Sequence, residues 1–206
     1  NRLYFLIGDV SGKGVPASLF MAITRSLFRT LSQQVLSPAK IVTDMNNSIS
    51  DNNESNMFVT LIVGILDLET GKLKLCNAGH NPPILIRPDG QVSFLEFKTQ
   101  IFVGVIEEFA YTEDETTLEK GSKLFLYTDG VTEAENTEKE LYGDEKLLKT
   151  LSDNNTSDVR TTVNGIEDSV ADHVKEAEAS DDLTILLIQY EPGQQTIKHI
   201  SLWKEK

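Results

Sequence analysis

The chain has 206 residues, 39% hydrophobic and 25% charged, which is ordinary globular usage and excludes a collagen-like, disordered or low-complexity chain. Its 32 acidic residues against 19 basic ones give a net charge of −13, a field that repels a nucleic-acid duplex, and no basic cluster longer than Lys-x-Lys offsets it. No apolar run approaches the roughly 18 residues of a membrane-crossing helix, and the lone Cys76 permits no intramolecular disulfide, which points to a reducing, cytoplasmic setting. The first residue is Asn1 and no charged-then-apolar leader precedes the first apolar run. The chain is therefore read as a segment of a longer protein, with any membrane anchor of the parent lying elsewhere.

The apolar run Leu3 to Ile7 predicts a strand. The glycine-rich stretch Gly8-Asp9-Val10-Ser11-Gly12-Lys13-Gly14 follows as a turn, and a helix starts near Pro16, where a missing N–H costs nothing. Phe20, Ile23, Leu27 and Leu31 recur at helical spacing and predict its apolar, core-facing side. Ser37-Pro38 predicts the cap of a second helix carrying Ile41, Met45 and Ile49. Met57 to Leu66 reads as a long strand, Asp67 to Gly71 as a hairpin loop, and Lys72 to Leu75 as a half-buried strand. After the break at Gly79-His80-Asn81-Pro82-Pro83, Ile84 to Arg87 and Gln91 to Phe97 flank a Pro88-Asp89-Gly90 turn. Tyr111 to Leu118 reads as a polar strand or loop, and Lys123 to Thr128 as a buried strand that contrasts with it. A short helix after Gly143-Asp144 and a longer one with the stripe Val159, Val163, Ile166, Val170 and Val174 precede a last strand, Leu183 to Gln189. Residues 191–206 read as a tail or edge strand. Strands segregated from helices predict antiparallel sheets covered by helices, and no internal repeat or domain boundary is evident.

Three acidic positions share a placement in this order of elements. Asp9 ends the first strand, Asp129 ends the strand Lys123 to Thr128, and Asp181 and Asp182 begin the strand Leu183 to Gln189. An antiparallel last strand would put its start beside the end of a neighbour. Clustered carboxylates repel unless a cation neutralises them, and hard oxygen ligands suit Mg²⁺ or Mn²⁺. The glycine turn is not a nucleotide-binding P-loop, because three residues rather than four separate Gly8 from Gly12 and Gly14 stands where a hydroxyl is needed. Cys76, within an apolar-alternating strand, reads as a buried structural thiol.

The same residues carry a resemblance. Gly8 to Ala17 is similar to the signature of the metal-dependent protein phosphatases of the 2C type (the PPM family), and more narrowly to their bacterial SpoIIE/RsbU-like branch. Asn77-Ala78-Gly79-His80-Asn81-Pro82-Pro83, Leu126-Tyr127-Thr128-Asp129-Gly130-Val131-Thr132-Glu133 and Ala179-Ser180-Asp181-Asp182-Leu183-Thr184 resemble three further blocks of that branch, in family order from Gly8 to Ile188. The resemblance implies an α+β fold, a four-layer α-β-β-α sandwich of two antiparallel sheets flanked by helices. It implies a single phosphatase domain over residues 1–206 that lacks its N-terminal strand or strands. The implied reaction is Mn²⁺- or Mg²⁺-dependent hydrolysis of phosphoserine or phosphothreonine on a protein, by water held between two divalent ions.

Residue by residue, Asp9 matches the carboxylate that bridges both ions, Val10 would lend its carbonyl, and Asp129 and Asp181 match ligands of one ion. Gly8, Gly12, Gly130 and Asp182 are expected to shape or support the site. His80 is tempting as a proton donor, yet its setting between Gly79 and Asn81-Pro82 argues for a structural turn. Two departures matter: the family's earlier aspartate would lie upstream of Gly8 and outside this chain, and Ser11 stands where some relatives place a histidine. Thr99 to Gly104 is also looser than the usual Pro-Leu-Gly form.

The implied substrate is a phosphorylated regulator of the anti-anti-sigma type in a partner-switching pathway, and the implied partner an upstream sensory domain in the same chain. Movement of the helix Pro16 to Leu31 would couple that sensor to Asp9. The alternative is a catalytically inactive phosphatase-like module that senses or binds.

Overall fold

A computed structural model describes residues 1–51, 53, 56–155, 158–177, 182–192 and 199–202. Among the described residues the elements run β1 (Arg2–Val10), α1 (Val15–Leu31), α2 (Pro38–Ser50), β2 (Val59–Asp67), β3 (Lys72–Ala78), β4 (Ile84–Ile86), β5 (Val92–Phe94), β6 (Asp114–Thr117), β7 (Lys123–Tyr127), α3 (Asp144–Asp153), α4 (Val159–Val174), β8 (Thr184–Gln189) and β9 (His199–Leu202). The strands form two antiparallel sheets in the orders β1-β2-β3-β6 and β5-β4-β7-β8-β9. This is the α+β class of two antiparallel sheets flanked by helices that the resemblance implies. The chain divides into two compact units: unit 1 holds Asn1–His80 and Glu96–Thr117, and unit 2 holds Asn81–Leu95 and Leu118–Lys206.

In unit 1 the period-2 alternation of strands sorts the side chains. Val10, Val59, Leu61, Val63, Ile65, Cys76 and Ala78 meet Ile41, Val42, Met45 and Ile49 of α2 in one buried cluster. The residues between them in sequence, among them Asp9, Thr60 and Asn77, lie on the sheet face turned away from that cluster. Ser37 caps α2 as the sequence predicts, its side chain accepting from Lys40 N. Burial pushes the Cys76 thiol up to about 12, so it stays protonated and unreactive at neutral pH.

Two expectations for unit 1 change. The predicted glycine turn begins later, because β1 continues through Gly8, Asp9 and Val10, paired with Leu61, Thr60 and Val59. Gly8 permits this: a Cβ there would lie 2.7 Å from Thr60 O and 3.0 Å from Leu61 Cβ. In α1, Phe20, Leu27 and Leu31 face the core with Ala17, Met21 and Phe28, but Ile23 does not. Ile23 is 53% exposed, beside Val15 and Leu19 on the opposite stripe.

Glu113 fastens α2 to the sheet. It accepts from Ser37 Oγ at 2.5 Å, Ala39 N at 3.2 Å and Lys74 Nζ at 2.7 Å. Burial pushes its carboxyl up, but these three donors outweigh burial and hold it below the usual glutamate value. A depressed folded pKa means stability that is present above the unfolded pKa and lost as pH falls through the folded one. Glu113→Gln is therefore expected to lower stability at neutral pH and to flatten the loss between neutral and acid pH, read by thermal melts across that range. An unchanged acid limb would refute the assignment.

In unit 2, Ile84, Ile86, Phe125, Tyr127, Ile185 and Leu187 from β4, β7 and β8 pack with Leu147, Leu151, Val159, Val163, Ile166 and Val170 of α3 and α4. The predicted stripe of α4 is this contact. Asp158 caps α4 by accepting from Thr161 N. The predicted strand from Gln91 to Phe97 is shorter, Val92–Phe94, and ends where Leu95 N donates instead to Pro83 O at 2.8 Å. β9 pairs with β8 at the end of the sheet.

Candidate active site

In unit 1, Asp9 sits inside the β1–β2 ladder opposite Thr60, not in a free loop. Ser11 N donates to Phe58 O at 2.9 Å and Ser11 Oγ accepts from Phe58 N at 2.9 Å, so Ser11 extends the ladder by one pair. The chain then bends at Gly12 and Gly14, whose φ angles of 81° and 80° favour glycine. Gly14 leads into α1 with no side-chain cap. Thr60 Oγ1 donates to Asp9 O at 3.5 Å and lies 3.0 Å from His80 Nδ1. His80 is buried, and its backbone is clasped by Asn77: His80 N donates to Asn77 Oδ1 at 2.8 Å and Asn77 Nδ2 donates to His80 O at 2.9 Å. The structural turn expected at His80 is present. The loose stretch Thr99 to Gly104 is tied down by bridges from Thr99 to Asn77 and from Val103 to Val59.

In unit 2, Asp129 follows β7, beside the start of β8. Thr128 clamps the two ends: its N donates to Thr184 O at 3.1 Å, its Oγ1 donates to Asp182 O at 3.1 Å, and its Oγ1 accepts from Thr184 N at 3.0 Å. The antiparallel pairing of β7 and β8 thus sets the Asp129 and Asp182 segments side by side. A Cβ on Gly130 would lie 2.4 Å from Asp182 O and 2.9 Å from Asp182 C, so only glycine fits there. Asp182 itself is exposed. Asp181 lies outside the described residues. Tyr127 accepts a hydrogen bond from Asn81 and donates one to Asp144, and burial pushes its phenol above the usual value, so it stays a donor.

A cation can be tested against these groups. Asp129 Oδ1 is buried and accepts no hydrogen bond from any described residue. A buried carboxylate oxygen without a donor is costly, and a hard divalent cation relieves that cost, so the chemistry of this position fits a metal. No group of three or more His, Cys, Asp or Glu side chains that could hold an ion occurs among the described residues. Val10 is a buried residue at the end of β1, where its carbonyl borders the bend, and Gly12 leaves open space where a side chain would be.

The sequence reading missed Thr60, whose only signal is its polarity within an otherwise apolar strand, and it quoted Asn77 in a block of the resemblance without giving it a part; both fall on the same sheet face as Asp9 once the register is known.

The chain is 27% identical over 184 residues to the phosphoserine phosphatase RsbU of Bacillus subtilis, covering 89% of this chain and 54% of RsbU. It spans 34% and 54% of the first curated relatives it matches, so those proteins are longer. Among solved structures, the SiaA-PP2C domain of Pseudomonas aeruginosa superposes with a TM-score of 0.79 at 20% identity, covering 92% of this chain and 80% of that one. The catalytic domain of the serine/threonine protein phosphatase PstP, solved with two manganese ions, superposes with a TM-score of 0.65 at 15% identity, covering 89% and 86%. The sequence profile described as Stage II sporulation protein E (SpoIIE) matches residues 1–191. That match takes in every block on which the resemblance rests, and the chain belongs to the SpoIIE family of PP2C-type phosphatase domains.

Proposed function

We propose that residues 1–206 form one phosphatase domain that hydrolyses phosphoserine or phosphothreonine on a protein with the help of two divalent cations, Mn²⁺ or Mg²⁺. The observation that carries this reading is Asp129 Oδ1, a buried carboxylate oxygen with no hydrogen-bond donor among the described residues. Membership of the family and the likeness to RsbU support it. When bound, such ions lower the pKa of the attacking water and offset charge growing on the phosphoryl oxygens.

The chain's own residues supply position. Asp9 offers its carboxylate and Val10 its carbonyl from the end of a paired strand. Asp129 offers its carboxylate from the end of β7, and the resemblance adds that of Asp181, which lies outside the described residues. Gly130 keeps the adjoining ends of β7 and β8 in backbone contact, Thr128 staples them, and Asp182 accepts the staple through its carbonyl. Gly8 brings β1 close to β2, and Gly12 turns the chain after Ser11.

By the same resemblance the substrate is a small phosphorylated regulator of the anti-anti-sigma type, the partner is an upstream sensory domain, and the setting is cytoplasmic. The test is phosphate release from a serine-phosphorylated protein of that type by the full-length protein. Release that depends on Mn²⁺ and stops on chelation is expected. Metal-independent release, or none from folded protein, would overturn the reading, and the second result would leave a binding module in its place.

A further inference from the structure

His80 takes no part in that proposal, yet its surroundings are built with care. His80 is 4% exposed and Asn77, which clasps its backbone, is 3% exposed. Gly79 before it has φ of 77°, and the Phe102 ring occupies the space a Cβ there would need, 2.0 Å from that position. Phe102 is itself stacked on Phe58 with ring centroids 4.9 Å apart. A buried imidazole on a backbone held by two hydrogen bonds has few orientations open to it, and its Nδ1 faces one way.

That way is toward Thr60. We propose that His80 is a positioning residue for Asp9, acting through the Thr60 hydroxyl, an inference that rests on Asp9 being a cation ligand as proposed above. A hydroxyl carries one proton and can give it to one acceptor. With the Thr60 proton given to Asp9 O, the 3.0 Å contact with His80 is closed by a proton on Nδ1, so the proposal requires the Nδ1–H tautomer.

The chain of donors, from His80 Nδ1 to Thr60 Oγ1 to Asp9 O, ends on the carbonyl of the peptide that links Asp9 to Val10. The β1–β2 ladder already orders that peptide, and the hydroxyl adds a side-chain restraint on ψ of Asp9 and φ of Val10. Both proposed ligands of this strand, the Asp9 carboxylate and the Val10 carbonyl, hang from those two angles. At 3.5 Å the reach to Asp9 O is long, so the imidazole matters: it restrains the hydroxyl that would otherwise rotate away.

The test uses the full-length protein labelled with ¹⁵N, metal-free, with Thr60→Val, Thr60→Ser and His80→Gln. Long-range ¹H–¹⁵N spectra resolve the ring tautomers of the three histidines, and His80→Gln assigns the relevant one. The Nδ1–H tautomer is expected in the unsubstituted protein and in Thr60→Ser, and its loss in Thr60→Val. Calorimetric titration with Mn²⁺ is expected to show binding about 10-fold weaker in Thr60→Val, the scale usual for a group that orients a ligand, with Thr60→Ser close to the unsubstituted protein. Equal melting temperatures of the Val and Ser variants would separate this from a general loosening. An Nε2–H tautomer in the unsubstituted protein, or equal Mn²⁺ affinity with Thr60→Val, overturns this inference alone. Absence of Mn²⁺ binding in the unsubstituted protein overturns the phosphatase reading on which it stands.

Discussion

Asp129→Asn is expected to reduce Mn²⁺-dependent phosphate release to the metal-free background. The substitution keeps the shape and one carbonyl-type oxygen but removes the formal charge that a hard cation needs. It should not weaken the fold. Asp129 Oδ1 is buried with no hydrogen-bond donor among the described residues, so neutralising the group removes a desolvation cost instead of a contact. The metal-free Asp129→Asn variant is therefore expected to melt no lower than the unsubstituted protein. The two should diverge when Mn²⁺ is added: a ligand at 100 times its Kd stabilises the state that binds it by about 2.7 kcal/mol, and the variant should forgo that gain. Melting curves with and without Mn²⁺, run beside the activity assay, give both readouts. Activity kept by the variant would remove Asp129 from the ligand set. Lower stability without metal would mean that the carboxylate has a structural partner instead.

Phe125→Ala is expected to give the largest loss of stability. Phe125 is fully buried at the centre of β7, opposite Ile84 on β4 and Leu187 on β8, and its ring lies 5.6 Å from that of Tyr127. Strands on both sides prevent the site from collapsing around a smaller side chain. Removing a buried phenyl group from such a site costs about 3–5 kcal/mol, or a fall of about 10 °C in a chain of this size. Denaturant titration checks it, and a cost below about 1 kcal/mol would show that the cluster between β7 and α4 repacks freely.

Local signals predicted well wherever local chemistry decides. Ser37 before Pro38 starts α2 because its hydroxyl meets an otherwise unsatisfied N–H. The stripe Val159, Val163, Ile166 and Val170 buries one face of α4 because nothing else on that helix competes with it. In α1 two stripes compete. Val15, Leu19 and Ile23 are spaced as well as Phe20, Leu27 and Leu31, and only contact with the rest of unit 1 selects the second set. The glycine-rich stretch reads as a turn from Gly8 onward, yet pairing with β2 carries the strand to Val10, since a long-range ladder outweighs local turn preference. The same limit applies to the site. Asp9 and Asp129 stand out as candidates because they stand at the ends of apolar runs, and Gly130 through the block that resembles the family. Thr60 does not, and the contacts of Asn77 are not legible either, because they depend on which residue of β2 and β3 lies beside which residue of β1, and no single strand carries that information.

The extension of β1 through Asp9 bears on how a cation would be captured. A ligand on a loose loop makes each binding event order the backbone, at about 1–2 kcal/mol for every residue fixed. Asp9 and Val10 are already paired with Thr60 and Val59. Their entropy was surrendered when the sheet zipped together during folding, so an ion bound there as proposed would meet ligands already ordered, and its affinity would not be reduced by that cost. Loss of the ion would return water to the carboxylate and leave the strand as it was.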